Sequence, residues 1–372
     1  MRLKAAIVWT GLLLTVFAVA GGCARKPQTV VQEASASKAA PEVAAAPGAA
    51  PIDGPTLKAV RARGRITCGV AEVQPGYASR DVLGQWHGFD VDICRAIAAA
   101  VLGDARLVRI EPLDAKARFN ALQAGQVDLV ARGGWTYSRD AGLGLNFVGV
   151  SYYDAQGFLA AKSLKLKAPA DLAGRKVCVQ TGTANAQALS ERFDAAPKSG
   201  KPTILVFDTE AEALDSYRKG ACQALSGFVS ALASQRAGLR DPDKQAILTD
   251  PASIEPAGPV VRQTDGQWAD IVGWTLNAMI LAEEFGVTSR SVASDLSKPA
   301  RPEIGHLLAG DGYGQMLLLH EDWAFQVIRQ VGAYDEVFAR NLGPATALKI
   351  DRGQNALWSA QAPGLLFAPP MR

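Results

Sequence analysis

The sequence has little histidine, no clustered positive charge and no hydrophobic run of typical membrane-spanning length, and each shortage excludes a class of function. Three histidines occur, His87, His306 and His320, and none stands at metal-ligand spacing, so we expect no metal site and no cofactor. The net charge is +3 and the positive residues are scattered, which argues against nucleic-acid binding. No Ser/His/Asp grouping is present, so the pattern favours a binding protein over an enzyme.

The first 23 residues have the layout of an export signal. Arg2 and Lys4 precede an apolar stretch, AAIVWTGLLLTVFAVA, which is short for a membrane span and ends in the small pair before Cys23. A cysteine in this place resembles a bacterial lipoprotein signal, in which Cys23 would carry the lipid. The alternative is a plain signal peptide with an incidental cysteine. In both cases the mature chain is exported, and we expect it in the periplasm.

The next segment, residues 24–55, is rich in Ala, Pro, Ser and Lys and has few large apolar residues. A segment of this composition cannot bury enough apolar surface to fold. We therefore predict a disordered tether that links a lipid anchor in the membrane to the folded domain.

Residues 65–131 show the pattern of a βαβαβ unit. RITCGVA (65–71), LVRIEPL (107–113) and VDLVA (127–131) are typical of buried strands. Between them lie two helical patterns, VDICRAIAAAVLG after Asp90 and KARFNALQAG (116–125), each closed by glycine. This order predicts a parallel sheet.

A comparable unit follows in residues 176–227. Its strand candidates are KVCVQTG (176–182), TILVFDT (203–209) and CQALSG (222–227), and helical patterns separate them. Two α/β units in one exported chain predict two lobes.

Two further segments, 146–162 and 255–263, have extended patterns, and we interpret them as the two crossings of a hinge. The predicted division is lobe 1 from 56–154, lobe 2 from 155–258, and the return of lobe 1 with a C-terminal helical extension from 259–372.

Four cysteines remain after Cys23, and an even number in an exported chain predicts disulfides. Cys68 and Cys94 fall on the first strand and first helix of lobe 1. Cys178 and Cys222 fall on the first and third strands of lobe 2, which are neighbours in this winding. We predict Cys68–Cys94 and Cys178–Cys222; the alternative is buried free thiols.

Several stretches recur together in one known family. They include GFDVDICRAIAAAVLGD, PLDAKARFNALQAGQVDLVAR, WTYSRD, KVCVQTGT, EPAGPVVRQ and ALWSAQAPGLLFAPPMR. Over about 56–372, the chain resembles the general L-amino-acid-binding proteins of ABC importers, of bacterial solute-binding protein family 3. The resemblance implies a type II periplasmic-binding-protein fold, in which two α/β lobes joined by a two-strand hinge close on a small solute. It also implies a membrane permease as partner, and we expect a monomer.

By this resemblance, Arg139 matches the arginine that grips the solute's α-carboxylate, for which a planar guanidinium is well suited. Gly134, Trp135 and Thr136, which precede it, belong to the same ligand-binding stretch. The alternative for Arg139 is a surface residue, and for Trp135 ordinary packing.

In the second lobe, Thr183 matches a carboxylate contact at a helix start, a sound place for an anion. Tyr77 matches an aromatic lid over the solute, with ordinary packing as the alternative. Asp90 and Asp92 are interpreted as helix caps.

The chain departs from the family pattern at Gly133, Gly134 and Ala184, where threonine or serine is usual, and above all at Phe228. The family places there the acid that pairs with the solute's ammonium, and a buried ammonium without a counter-charge is costly. Either another acid replaces it, with Glu72 and Asp154 as candidates, or the solute lacks an amine. Phe228 is then a wall of the cleft or part of the core.

These observations predict the extracytoplasmic solute-binding component of an ABC importer that captures a small carboxylate, with an amino acid as the expected class. One rival is a signalling or divergent receptor for an amine-free carboxylate. Another is a cleft enzyme, because some relatives of this fold are dehydratases or lyases. We see no acid/base constellation that supports the enzyme.

Overall fold

The structure, a computed structural model, describes residues 53–71, 74–114, 117–194, 200–250, 253–310 and 312–372. The predicted signal peptide with Cys23, and the predicted tether up to residue 52, lie outside the described residues. None of the helices in the described part of the chain is long and apolar enough to span a bilayer.

The strands and helices of the described residues alternate in the first two thirds of the chain, and helices dominate the last third. The strands are β1 Ile66–Ala71, β2 Ser79–Arg80, β3 Trp86–His87, β4 Val108–Leu113, β5 Leu129–Gly134, β6 Leu145–Phe147, β7 Tyr152–Asp154, β8 Gln156–Ala161, β9 Lys176–Gln180, β10 Thr203–Phe207, β11 Ala224–Phe228, β12 Gln245–Thr249 and β13 Glu255–Arg262. The helices are α1 Pro55–Arg63, α2 Phe89–Leu102, α3 Arg118–Gln123, α4 Tyr137–Gly142, α5 Ala184–Asp194, α6 Glu210–Arg218, α7 Val229–Ala237, α8 Gly266–Phe285, α9 Val292–Ser297, α10 Pro302–Ala309, α11 Tyr313–Met316, α12 Trp323–Gln330 and α13 Tyr334–Asn341.

Two separate α/β sheets form the two lobes. The first has the order β4-β1-β5-β13-β6, with β7 also pairing with β13. Its strands β4, β1 and β5 are parallel, and β13 runs antiparallel to β5. The second has the order β10-β9-β11-β8-β12; β10, β9 and β11 are parallel, and β8 runs antiparallel to β11 and β12. The predicted fold class, two lobes with βαβ-built sheets, is confirmed.

The chain crosses between the sheets on two neighbouring segments. On the way out, β7 of the first sheet is separated from β8 of the second sheet by Ala155 alone. On the way back, β12 of the second sheet is followed by β13, whose first residue, Glu255, stands opposite Asp154 of β7. Both segments lie where the extended sequence patterns placed the hinge.

Both predicted disulfides are present. Cys68 on β1 is joined to Cys94 on α2, with the two Cα atoms 6.0 Å apart. Cys178 on β9 is joined to Cys222, with the Cα atoms 5.8 Å apart. Cys222 precedes β11 and does not lie on that strand as predicted. Each sheet therefore carries its own covalent link.

The two aspartates at the start of α2 have structural roles, but they do not cap the helix as predicted. The N-cap residue is Gly88. Asp90 is buried and accepts a hydrogen bond of 2.9 Å from Arg132 Nε. Asp92 accepts a hydrogen bond of 2.9 Å from Nε of Arg340 on α13, and so ties the C-terminal extension to the first lobe.

Candidate functional site

The backbone brings the carboxyl ends of the parallel strands of both sheets to the hinge. Past the end of β5, Trp135 donates its backbone N–H to the carbonyl oxygen of Pro256 on β13, at 2.8 Å. At the end of β11, Phe228 stands opposite Gln156 of β8. Open α/β sheets bind their ligands at the carboxyl ends of their strands. The residues at these two strand ends therefore form the candidate site.

Arg139 lies on α4, just past the end of β5, and is half-buried. Its Nη1 donates a hydrogen bond of 2.9 Å to the carbonyl oxygen of Gly134, and its guanidinium carbon is 5.5 Å from the ring centre of Phe119. In the described residues this is the side chain's only hydrogen bond. Burial lowers the pKa of Arg139, and the negative charge of Glu255 acts in the opposite direction, to raise it. The group nevertheless stays charged at neutral pH, with donors left over for an anion.

The stretch before Arg139 shapes its position. A Cβ atom on Gly134 would lie 2.9 Å from Nη1 of Arg139, so the glycine leaves space for the guanidinium. Trp135 stacks on Phe147 with ring centres 5.5 Å apart. This is the ordinary packing that the sequence analysis gave as the alternative to a role in ligand binding. The backbone carbonyl oxygen of Thr136 accepts a hydrogen bond of 3.1 Å from the backbone N–H of Arg139, at the start of α4. These residues position the arginine, and their contact with a solute stays a prediction.

Tyr77 is not a lid over the site, and that prediction was wrong. Its side chain is fully buried in the core of the first lobe. Its ring meets Phe89 and Tyr152 edge-on, at 6.3 and 5.6 Å between ring centres, and the guanidinium of Arg132 lies 4.3 Å from its centre. Gly76, which precedes it, lies so close to Leu348 of the C-terminal extension that an added Cβ atom would clash with that side chain.

Thr183 caps the helix that it precedes. Its hydroxyl donates to the carbonyl oxygen of Gln180 at 2.8 Å and accepts the backbone N–H of Ala186 at 3.2 Å. The hydroxyl proton is therefore already used inside the protein. At this end, α5 presents the positive end of its dipole to a solute. A direct hydroxyl contact from Thr183 stays a prediction.

Phe228 is the last residue of β11 and is half-buried. Opposite it, the amide Nε2 of Gln156 donates to the carbonyl oxygen of Asn185 at 3.1 Å and to Oγ of Ser226 at 3.2 Å. The amide is thus engaged within the second lobe. An apolar ring stands at the strand exit, where the family pattern predicts a carboxylate.

The two acids that the sequence offered as replacements have different outcomes. Glu72 lies outside the described residues. Asp154 is buried in the hinge, and its Oδ1 accepts the backbone N–H groups of Ala155 at 2.9 Å and of Ser230 at 3.1 Å. Burial raises the pKa of Asp154. This carboxylate anchors the start of α7, which is a structural role.

Sequence reasoning missed Arg118, at the start of α3. Its Nη1 lies 3.4 Å from the carbonyl oxygen of Arg132, and its guanidinium carbon is 5.5 Å from the ring centre of Phe119, the distance that also separates Arg139 from that ring. Its buried Nε has no hydrogen-bond partner in the described residues. Burial and the charges of Arg132 and Arg139 lower the pKa of Arg118 to about 10. A second cation thus stands beside Arg139, and no sequence signal separated it from a surface arginine.

Sequence reasoning also missed Glu255, the first residue of β13. It is half-buried beside the hinge and accepts a hydrogen bond of 3.3 Å from Oγ of Ser253. Burial raises the pKa of Glu255, and the charge of Arg139 opposes that effect. The extended pattern EPAGPVVRQ predicted a strand here, but gave no indication that its first side chain would face a charged site.

Comparison with known proteins identifies the family. Residues 66–290 match the bacterial extracellular solute-binding proteins, family 3. The chain belongs to this family. YhdW of Escherichia coli (strain K12) is 44% identical over 321 residues, which cover 86% of this chain and 93% of YhdW. The general L-amino acid-binding periplasmic protein AapJ of Rhizobium johnstonii is 43% identical over 329 residues, 87% of this chain and 95% of AapJ.

A solved structure of a family relative supports the fold over the same range. An ABC transporter periplasmic binding protein from Brucella ovis, determined with glutathione bound, superposes with a TM-score of 0.80 at 41% identity. The match covers 85% of this chain and 99% of that protein. The two-lobed architecture of this family-3 protein is therefore that of a solute-binding protein.

Proposed function

We propose that this family-3 protein captures an amino acid, or a closely related carboxylate, for an ABC importer, and that it is a binder and not an enzyme. The observation that carries the proposal is Arg139, a half-buried cation at the hinge end of β5 with donors left for an anion. The relatives agree, since AapJ is named for binding L-amino acids and the Brucella protein was determined with glutathione, which contains an amino-acid head group.

Binding in this proposal starts on the first lobe and ends with closure. Arg139 pairs with the solute's carboxylate through parallel charge-assisted hydrogen bonds. Arg118 adds a second positive charge and favours solutes with further acidic groups. Rotation about the hinge then brings the amino end of α5, with its backbone N–H groups, onto the same anion. A solute that binds the closed state more tightly shifts the population towards it, and the closed form docks on the permease.

The exported form of the chain belongs to the same proposal. Residues 1–23 are removed or modified on export, Cys23 carries a lipid, the segment 24–55 tethers the lobes to the membrane, and lobe 1 (56–154 and 259–372) and lobe 2 (155–258) act as one periplasmic monomer. Metabolic labelling with a palmitate analogue tests the anchor. Label is expected on the wild-type chain and absent from Cys23→Ser; label on neither chain would contradict the anchor.

A second candidate function follows from Phe228. Because the ring occupies the place of the family's ammonium-binding acid, the site would suit a carboxylate without an amine. The chain would then be a receptor for such a solute, for transport or for signalling.

A thermal-unfolding panel on the purified protein separates the two candidates. A ligand that binds only the native state raises the melting temperature by mass action. The panel holds amino acids, glutathione and the corresponding carboxylic acids without the α-amine, with Arg139→Ala as the control. Stabilisation by amino acids, lost in Arg139→Ala, supports the proposal. Stabilisation by the amine-free acids alone supports the second candidate, and the absence of both contradicts the carboxylate site.

A further inference from the structure

We infer that Glu255, on the returning hinge strand, carries the negative charge that recognises the solute's ammonium group, so that the site takes α-amino acids in their zwitterionic form. This inference rests on the proposed function and specifies its substrate class. It also explains how the site can hold an amine although Phe228 replaces the expected acid.

The backbone places Glu255 next to the segment that carries Arg139. Ala257 of β13 pairs with Gly134 of β5, whose carbonyl oxygen holds the guanidinium of Arg139. The carbonyl oxygen of Pro256, the residue after Glu255, accepts the N–H of Trp135 at 2.8 Å. The electrostatic interaction between Arg139 and Glu255 agrees with this placement. A cation and an anion therefore flank one point of the hinge.

The hydrogen bonds of the two hinge acids explain why Glu255 fits the role better than Asp154. The two residues stand opposite each other in the β7–β13 pair. Asp154 is buried, and its Oδ1 already accepts two backbone N–H groups, those of Ala155 and Ser230. Glu255 accepts one hydrogen bond in the described residues, the long one from Ser253. It is also only half-buried, so a solute can reach it.

Charge complementarity supports the same assignment. Burial and the neighbouring carboxylate of Asp154 raise the pKa of Glu255, which means that the protein stabilises its negative charge incompletely. An ammonium group would complete that stabilisation. An α-amino acid carries its carboxylate and its ammonium on the same carbon, so the two groups match a neighbouring guanidinium and carboxylate.

Calorimetric titration of wild type and Glu255→Gln with matched ligand pairs tests the inference. The pairs are L-glutamate with glutarate and L-leucine with 4-methylpentanoate, which differ only in the amine. Wild type is expected to prefer the amino acid of each pair. Glu255→Gln is expected to lose about 30-fold in affinity for the amino acid, since the ammonium is left unpaired, and to keep its affinity for the amine-free acid.

Three controls distinguish the role from structural damage. Glu303→Gln, at an exposed position on α10, removes the same charge away from the hinge and is expected to behave as wild type. Glu255→Asp keeps the charge and is expected to retain a preference for the amino acid, which makes the test possible even if the glutamine variant unfolds. Adding Phe228→Asp to Glu255→Gln restores an acid on the second lobe and is expected to recover part of the lost preference.

The outcomes separate this inference from the proposed function. Two results for Glu255→Gln would overturn the role of Glu255 while amino-acid capture stands. One is a wild-type affinity for L-glutamate, and the other is an equal loss of affinity for both ligands of a pair. Loss of the preference in Glu255→Asp also overturns it. If wild type binds the amine-free acids and no amino acid, the amino-acid part of the proposed function fails first.

Discussion

The two lobes have the same sheet plan and different chemistry at the edge that faces the hinge. In both, three parallel strands are joined by an antiparallel strand from the hinge region. At the edge of the first lobe stand two guanidinium groups, those of Arg118 and Arg139. At the edge of the second stand the ring of Phe228 and the engaged hydroxyl of Thr183. A shared topology thus sets where a site can form, and a few side chains decide which lobe presents charge there.

The lobes also differ in how much core supports them. The largest cluster of buried apolar residues joins the first sheet to α8 and to the C-terminal helices, and contains the fully buried Trp268 and Trp323. The second sheet is supported by two smaller clusters, one around Phe158 and one around the Cys178–Cys222 link. The second lobe is therefore expected to depend more on its disulfide.

The largest expected effect is on the stability of the second lobe. Replacing Cys178 and Cys222 by serine opens a loop with a sequence separation of 44, which is expected to cost about 4 kcal/mol. Replacing Cys68 and Cys94 by serine opens a loop with a sequence separation of 26, which is expected to lower the free energy of unfolding by about 3.5 kcal/mol. Scanning calorimetry of both double variants checks the order. A larger loss of melting temperature from the first-lobe pair would contradict the comparison of the cores.

The next largest effect is on affinity. Arg139→Ala is expected to weaken binding of the best-bound carboxylate by about 100-fold, because an ionic hydrogen-bonded partner of the solute is removed. Arg139→Lys keeps the charge without the planar fork and is expected to recover part of the loss. Titration calorimetry measures both variants. Equal affinity of Arg139→Ala and wild type would show that Arg139 does not hold the solute's carboxylate.

A gain of function sharpens the same comparison. Phe228→Asp places a carboxylate on the second lobe and is expected to increase the preference for amino acids over their amine-free analogues by about tenfold. Phe228→Asn is the control, because asparagine has about the same size as aspartate and carries no charge. The ratio of dissociation constants for each ligand pair gives the result, and an unchanged ratio in Phe228→Asp would place this position outside the site.

The smallest expected effect concerns Thr183. Thr183→Ala removes a helix cap and is expected to lower the free energy of unfolding by about 1 kcal/mol, while Thr183→Ser keeps the cap. Affinity is expected to change much less than in Arg139→Ala, because the hydroxyl proton is used by Gln180. Denaturant unfolding and titration calorimetry measure the two quantities. A loss of affinity as large as that of Arg139→Ala would give the hydroxyl a direct contact with the solute.

Much of the fold could be predicted from local pattern. Strand and helix periodicity placed both α/β units and the two hinge segments, and the cysteine positions then indicated both disulfides. The prediction for Tyr77 was wrong because its motif is compatible with a lid and with core packing. Contacts with Phe89, Tyr152 and Arg132, which come from distant parts of the sequence, make it a core residue.

The sequence by itself determined the two α/β units and their hinge, the two cysteines in each unit, the departure at Phe228 and the place of Arg139 after a strand, because these depend on local periodicity and on short motifs. Tertiary structure decided which charges meet. The guanidinium groups of Arg118 and Arg139 both lie near the ring of Phe119, although the two residues are 21 positions apart in the sequence. Glu255, on a strand that returns after the whole second lobe, interacts electrostatically with Arg139. Electrostatic interactions depend on distance in space, and only the folded chain sets those distances.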